Sequence, residues 1–154
     1  MHLRGVSMAF QFEFDAGTRV IRIRFEGLVL DDELVESHAR TAGYIQRTQA
    51  RAGITDFTDA TSFQVSSPVI RAIADSAPAA KDPSFVRVVV ARAALEYGLA
   101  RMYQILGEAT RPEMEVVRSR EESYSFLGIE DPQFQALPPE SIWGAQAARE
   151  DLAG

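Results

Sequence analysis

Two short stretches near the start of the chain place hydrophobic residues at every second position. Phenylalanine alternates with polar residues over positions 10–14, and isoleucine and phenylalanine alternate with arginine over positions 21–25. A period of two is typical of a strand that buries one face. The residues between them, 15–18, are Asp-Ala-Gly-Thr, which is the composition of a turn. The pattern therefore predicts an antiparallel hairpin whose aromatic and aliphatic face points inward.

After the hairpin, apolar residues recur at helical spacing in some segments and form short continuous runs in others. In chain order, the segments are a helix that Asp31 or Asp32 caps and that ends at 49–53, a strand at 54–58, a polar turn at 58–67, a helix that Ser67 caps and Pro78 ends, a strand at 85–91, a helix within 92–109, a strand at 114–117 and a helix at 120–127. This alternation predicts an α/β fold with a mainly parallel sheet and one antiparallel strand. We expect about five strands covered by about four helices.

The chain is long enough for one domain with a substantial core. Its composition changes after about residue 130. Prolines interrupt regular structure twice between residues 131 and 139, and an alanine-rich run follows Trp143. We therefore expect a single domain over residues 1–129 and a C-terminal tail over residues 130–154. The tail is predicted to be either a short helix that docks through Trp143 or a mobile segment.

Composition and charge narrow the range of functions. The net charge is −6 and the pI is near 4.9, so the chain lacks the positive charge that draws proteins to nucleic acids or anionic membranes. The absence of cysteine excludes disulfides, zinc–thiolate sites and iron–sulfur clusters. No apolar run reaches the roughly 18 residues that cross a membrane, and residues 1–7 lack the core of a signal peptide. We expect a cytoplasmic protein without nucleic-acid binding, membrane insertion, cofactor or metal.

The glycine-rich motifs of nucleotide-binding folds and the G-x-S-x-G motif of serine hydrolases are absent from the sequence. Asp56 and Asp59 have two interpretations: the carboxylate pair of a metal or phosphotransfer site, or residues that cap a turn and a strand end. We favour the second, and we interpret His38, on the apolar stripe of the first helix, as a packing residue. No catalytic residue is predicted, because an enzyme would require these three side chains to converge in one cleft.

The start of the second helix is a natural place for a phosphate. Ser66, Ser67 and Pro68 mark its first turn, and the preceding segment contributes Thr58 and Asp59. The positive end of a helix stabilises an anion that is bound there or attached to a hydroxyl group. Ser66, Ser67, Thr58 and Asp59 are therefore a candidate anion or phosphorylation site. Plain capping of the helix by Ser67 is the alternative.

The order and spacing of three segments carry a resemblance to a known family. The segments are Ile54–Ala60 at the end of the third strand, Phe63 with Ser66-Ser67-Pro68, and Tyr97–Met102 in the third helix. Through them, the span from Phe10 to Gly128 resembles the STAS family of anti-sigma-factor-antagonist-like domains, and more closely its SpoIIAA-like, STAS/SEC14-type branch. The resemblance implies a small mixed sheet covered by helices, no enzyme activity, and regulation through protein contacts.

The resemblance also implies two sites. The family's phosphorylation switch has the sequence Asp-Ser-Ser-Gly, and residues 65–68 match it here as Val-Ser-Ser-Pro, with Ser66 at the modified position. The implied fold also leaves room for an apolar ligand against the sheet. The candidate pocket consists of Tyr97, Arg101, Met102 and Tyr103 in the third helix, where tyrosine and arginine hold an anionic head group. In the alternative, Met102 and Tyr103 belong to the core and Arg101 pairs with an acid.

The sequence thus predicts a non-enzymatic regulatory or protein-interaction domain. We expect it to bind a protein partner and to form a homodimer through the apolar surface of the hairpin or through Trp143. The alternative is a small-molecule binding protein with a pocket beside the third helix. A substantial cavity lined by residues such as Leu99, Met102 and Tyr103 favours the binding protein, whereas a filled interior and a broad exposed apolar face favour the interaction domain.

Overall fold

The chain folds into one mixed sheet with helices on both of its faces. The computed structural model describes residues 9–140. In chain order the elements are β1 (Phe10–Asp15), β2 (Val20–Leu30), α1 (Asp31–Thr48), β3 (Ala52–Gln64), α2 (Ser67–Asp75), β4 (Val86–Val90), α3 (Ala94–Leu106), β5 (Met114–Val117), α4 (Arg120–Leu127) and β6 (Gln135–Ala136). The strand order is β5-β4-β3-β2-β1-β6, with β2 to β5 parallel and β1 antiparallel to both neighbours. The predicted α/β class and N-terminal hairpin are confirmed.

Alternation along the strands divides the core between the two faces of the sheet. Phe12 and Phe57 point toward α1, α2 and α3, and Tyr44 of α1 stacks on Phe12 with the ring centroids 4.0 Å apart. Val20 and Ile54 point to the other face, where α4 covers them. The aromatic face of the hairpin, which we expected to serve self-association, is therefore buried beneath the protein's own helices.

Strands β2 and β3 are longer than the sequence predicts. Residues 58–64 are extended rather than a polar turn, and they pair in parallel with residues 26–30, beyond the ends of β1 and β4. We call these paired segments the outer ribbon. The register of the outer ribbon shifts twice. Gly27 has a φ of 71°, a left-handed backbone conformation that glycine adopts more readily than other residues. The prediction was wrong here because most side chains of the ribbon are exposed, so the apolar alternation of a half-buried strand does not develop.

The helix starts also differ from the predicted caps. Leu30, not Asp31 or Asp32, is the N-cap of α1, and its backbone N–H donates to Glu33 over 2.8 Å. Ser66, not Ser67, is the N-cap of α2. Asp31 and Ser66 make no capping bond to their own helices because they bond to each other, as the site geometry below shows.

Arg111 closes the C-terminal end of α2. Its side chain is 1% exposed, and its guanidinium donates to the carbonyls of Ile73, Ala74 and Ser76 over 3.0–3.2 Å. These are carbonyls that the end of a helix leaves without partners. A positive charge is favourable at this end of the helix dipole. Helix α2 accordingly ends at Asp75, before the predicted stop at Pro78.

The segment after residue 129 contributes to the sheet. Strand β6 pairs antiparallel with β1, and the backbone N–H of Leu137 donates to the carbonyl of Phe12 over 2.9 Å. The first part of the expected tail therefore continues the domain as an edge strand. Residues 1–7 and the predicted helix at Trp143 lie outside the described residues. Within residues 9–140, no helix is long and apolar enough to cross a membrane.

Candidate functional site

A cavity of about 140 Å³ lies between the sheet and helices α1, α2 and α3. Gly53, Thr55 and Phe57 of β3 form part of its wall. Leu99, Ala100 and Tyr103 of α3 line the cavity as well. The Cβ of any residue other than glycine at position 53 would lie 3.3 Å from the ring of Phe85, so Gly53 leaves this part of the wall open. The lining is mainly apolar, with a small number of polar side chains, which is the usual composition of a ligand site.

The structure brings one of the four predicted pocket residues to this cavity. Tyr103 lines it, and burial raises the pKa of its phenol. The other three do not line it. Tyr97 lies 4.0 Å below the guanidinium of Arg118, Arg101 is exposed and bonds to Gln104, and Met102 packs against the core.

Sequence analysis missed Glu96, which lines the cavity from the first turn of α3. It is 9% exposed, and within residues 9–140 its carboxylate makes no hydrogen bond or ion pair. Burial raises the pKa of Glu96, and the positive charge of Arg92 partly offsets the rise. The sequence does contain a signal, because Glu96, Leu99, Ala100 and Tyr103 are spaced for one helix face. An acid in a first turn is, however, usually explained by the helix dipole.

Two further titratable side chains line the cavity. The Nε2 of His38 lies 3.0 Å from the hydroxyl of Ser76. Burial and the charge of Arg111 lower the pKa of His38, which keeps its ring neutral at pH 7. The guanidinium of Arg87 donates to the carbonyl of Ala80 over 3.0 Å. His38 therefore lines the cavity with a hydrogen-bonded ring, and its role as a packing residue stays a prediction.

The opposite face of the sheet carries a cluster of charged side chains beneath α4. We call it the charged network, and its members are Glu13, Arg22, Arg24, Asp56, Asp59 and Arg120. Asp56 is completely buried and accepts from Arg120 Nε over 2.5 Å and from the Thr58 backbone N–H over 2.9 Å. Every member of the network has a partner, and Arg24 also lies 3.6 Å from the exposed carboxylate of Glu26.

The charged network bears on the two interpretations of Asp56 and Asp59 and on whether they converge with His38. Asp56 and Asp59 both bind Arg120, and the hydrogen bond from Arg120 lowers the pKa of Asp59. His38 lines the cavity on the other side of the sheet, so these residues do not converge in a cleft. Within residues 9–140, no group of three histidine, aspartate or glutamate side chains is placed to hold a metal ion.

The four predicted anion-site residues fall into two places. Thr58 and Asp59 belong to the region of the charged network, whereas Ser66 and Ser67 lie at the start of α2. The backbone N–H and the hydroxyl of Ser66 donate to the two carboxylate oxygens of Asp31, over 2.8 and 2.9 Å. Asp31 is the first residue of α1, so this pair of bonds ties the starts of α1 and α2 together.

Comparison with known proteins identifies the fold. No family model and no curated protein matches the sequence. Among solved structures, the chain is similar to the Bacillus cell fate determinant SpoIIAA in its phosphorylated form, with a TM-score of 0.50 and 16% identity, over 77% of this chain and 99% of that chain. The STAS-type fold of SpoIIAA, which the sequence resemblance implied, is confirmed.

Proposed function

We propose that the protein is a non-enzymatic regulatory domain that binds a small, mainly apolar molecule and acts through protein contacts. The observation that carries the proposal is the cavity between the sheet and α1, α2 and α3. Its volume of about 140 Å³ is close to that of engineered protein cavities that bind benzene, about 150 Å³. The fold shared with SpoIIAA, a determinant of cell fate, supports the regulatory part of the proposal.

The binding role is tested by titrating the protein with ethylbenzene and recording NMR chemical shifts. We expect shifts at cavity residues such as Leu99 and Ile23, because an apolar ligand fills the empty space beside them. Ala100→Leu, which adds three carbon atoms inside the cavity, should abolish the effect. Ala94→Leu adds the same atoms at an exposed position of α3 and should leave binding unchanged. Absence of shifts at the cavity, up to the solubility of ethylbenzene, would contradict the proposal.

Phosphorylation of Ser66 is a second candidate function, because it would break the contact between its hydroxyl group and Asp31 and because the structural neighbour has a phosphorylated form. A phosphate adds about −1.5 to −2 charges at neutral pH. The carboxylate of Asp31 would repel this phosphate, although the positive end of α2 would attract it. The modification would therefore separate the starts of α1 and α2 and change the surface offered to a partner.

The intact mass of the protein, purified from its own host, tests this second function. A mass increase of one phosphate that maps to Ser66 and is lost in Ser66→Ala would support it. Ser67→Ala is the matched control, because Ser67 is exposed beside the same helix start. Protein that is unmodified at Ser66 under all growth conditions would exclude it.

Self-association remains part of the proposal, although the hairpin is covered. Leu28, Leu30 and Val35 are between 38% and 48% exposed, in the outer ribbon and the first turns of α1. Exposed aliphatic side chains favour contact with another protein surface. Light scattering of the purified protein measures its mass in solution, and a monomer at all concentrations would contradict a homodimer.

A further inference from the structure

The cavity has a neighbour on the outside of the protein. A second pocket, of about 160 Å³, is lined by Thr58, Ala60, Arg92 and Ala93 together with Phe57 and Glu96. Phe57 and Glu96 are the two described residues that line both spaces. They therefore form the boundary between the inner cavity and the outer pocket, and a ligand that enters from the outer pocket meets them first.

Glu96 has no structural task in the described part of the chain. The N-cap of α3 is Ala93, and no backbone N–H of the helix donates to the Glu96 carboxylate. The side chain is 9% exposed, but among the described residues no buried polar atom lacks a hydrogen bond, so the unbonded carboxylate oxygens reach solvent beside the outer pocket. Enclosing most of a charged side chain without a partner is nevertheless unfavourable for folding. Such a group, placed at the boundary of a cavity, is what a site for a hydrogen-bond donor requires.

Aromatic rings lie at the same end of the cavity. Phe57 and Phe63 both line it, with their ring centroids 5.1 Å apart and their planes at 78°. The faces of aromatic rings attract cations, and a carboxylate beside them supplies a charge-assisted hydrogen bond. A protonated amine uses both features, whereas an anion would be repelled by Glu96 and a hydrocarbon would leave it without a partner.

We propose that the cavity binds a small apolar amine, with its ammonium group between Glu96 and Phe57 and its carbon body in the cavity. This inference rests on the binding function proposed above. The cavity volume limits the carbon body to about the size of one benzene ring, roughly six to eight non-hydrogen atoms.

The positive charges around the cavity are arranged in a way that orients such a ligand. Arg87 lies at the far end, where it pairs in register with Gly53, and its guanidinium lies over the ring of Phe85. His38 is neutral, as described above. Arg92 lies in the outer pocket and makes no ion pair with Glu96. The ammonium group is thus attracted by Glu96 and repelled from the Arg87 end, while Arg92, in the outer pocket, opposes part of the attraction.

The test compares benzylamine with ethylbenzene, which has a similar shape and no charge, by NMR titration at pH 7. For the wild type we expect both to bind in the cavity. Glu96→Gln keeps the shape of the side chain and should weaken benzylamine binding by about tenfold or more, since a hydrogen bond to a charged group is lost. Its affinity for ethylbenzene should stay within about twofold. Glu108→Gln, which removes the same charge at an exposed position, should change neither.

The outcomes separate this inference from the function on which it rests. If ethylbenzene binds and benzylamine does not, or if Glu96→Gln binds benzylamine as tightly as the wild type, the amine inference is wrong and the binding function stands. If neither compound perturbs the cavity, both proposals are wrong. A well-dispersed NMR spectrum of Glu96→Gln shows that the variant is folded.

Discussion

The two faces of the sheet treat charged side chains in opposite ways. Beneath α4, all six members of the charged network have partners, and even the completely buried Asp56 is hydrogen bonded. Beneath α3, the side chain of Glu96 is 9% exposed, and its carboxylate borders the outer pocket without a hydrogen bond or an ion pair among the described residues. The comparison shows that a cluster of charges identifies a structural contact when each charge has a partner. One unpaired charge beside a cavity is the better indication of a ligand.

The charged network has a clear structural role, which is to hold α4 against the sheet. Arg120, the first residue of α4, bonds to Asp56 and Asp59 of β3. Arg22 of β2 reaches the hydroxyl of Tyr124 in the same helix over 3.0 Å. A buried pair of this kind adds little net stability, but removal of one partner is strongly unfavourable because the other charge stays buried. The two faces should therefore respond differently to loss of a charge.

The largest expected effect is that of Asp56→Ala. It removes a completely buried acid and leaves Arg120 Nε and the Thr58 backbone N–H without their acceptor, so that Arg120 keeps only its contact with the exposed Asp59. We expect the free energy of unfolding to fall by about 3 kcal/mol, as for other broken buried pairs. Urea unfolding followed by circular dichroism measures it. A loss near zero would mean that the charged network does not hold α4, and the comparison of the two faces would fail.

A smaller effect of the opposite sign is expected for Glu96→Gln without ligand. Because the pKa of Glu96 is raised in the folded state, folding favours the protonated acid over the charged form. The stability that this preference contributes is present below the pKa of an unfolded glutamate and is lost as pH rises through the folded pKa. At pH 7 the variant should therefore be more stable than the wild type, by less than about 1 kcal/mol because solvent at the outer pocket screens the charge of Glu96.

The pH dependence is the control for the Glu96 prediction. The difference between Glu96→Gln and the wild type should shrink as the pH falls from 7 toward about 4, where an ordinary glutamate becomes protonated. Urea unfolding at several pH values between these limits measures it. A variant that is less stable than the wild type at pH 7 would show that Glu96 has a stabilising partner.

The smallest expected effect is that of Asp59→Asn. Asp59 binds Arg120 over 2.7 Å, but its side chain is 41% exposed. Exposed ion pairs contribute about 0–1 kcal/mol and are screened by salt. We expect a loss of about 0.5 kcal/mol that shrinks further at high salt concentration. A loss as large as that of Asp56→Ala would mean that burial does not distinguish the two aspartates.

The sequence predicts the parts of the fold in which burial follows a regular period. The hairpin and the alternation of strands and helices were predicted because their apolar residues repeat every two or every three to four positions. The outer ribbon was not, because its residues pair through the backbone while most of their side chains stay exposed. The hydrogen bonds between Asp31 and Ser66 connect residues 35 positions apart, and no local sequence pattern predicts them.

The site was harder to predict than the fold. Tyr103 was named through the family resemblance, which implies room for a ligand against the sheet, and it lines the cavity. Glu96 was not predicted, since the sequence does not distinguish an acid enclosed without a partner from an acid exposed to solvent. Asp56 was interpreted as a strand-end polar residue, because its partner Arg120 is 64 positions away. Pairing, rather than residue type, separates these cases, and pairing is visible only in three dimensions.

The position of β6 has a consequence for synthesis of the chain. β1 is made before residues 135–137, which cover its outer edge. Until these residues leave the ribosome, a nascent chain that has already formed its hairpin presents the edge of β1 without a partner. Exposed edges of this kind recruit strands from other chains. Production of truncated forms that stop at residue 129 should therefore yield aggregates. Pairing of β6 with β1 protects that edge once residues 135–137 have been made.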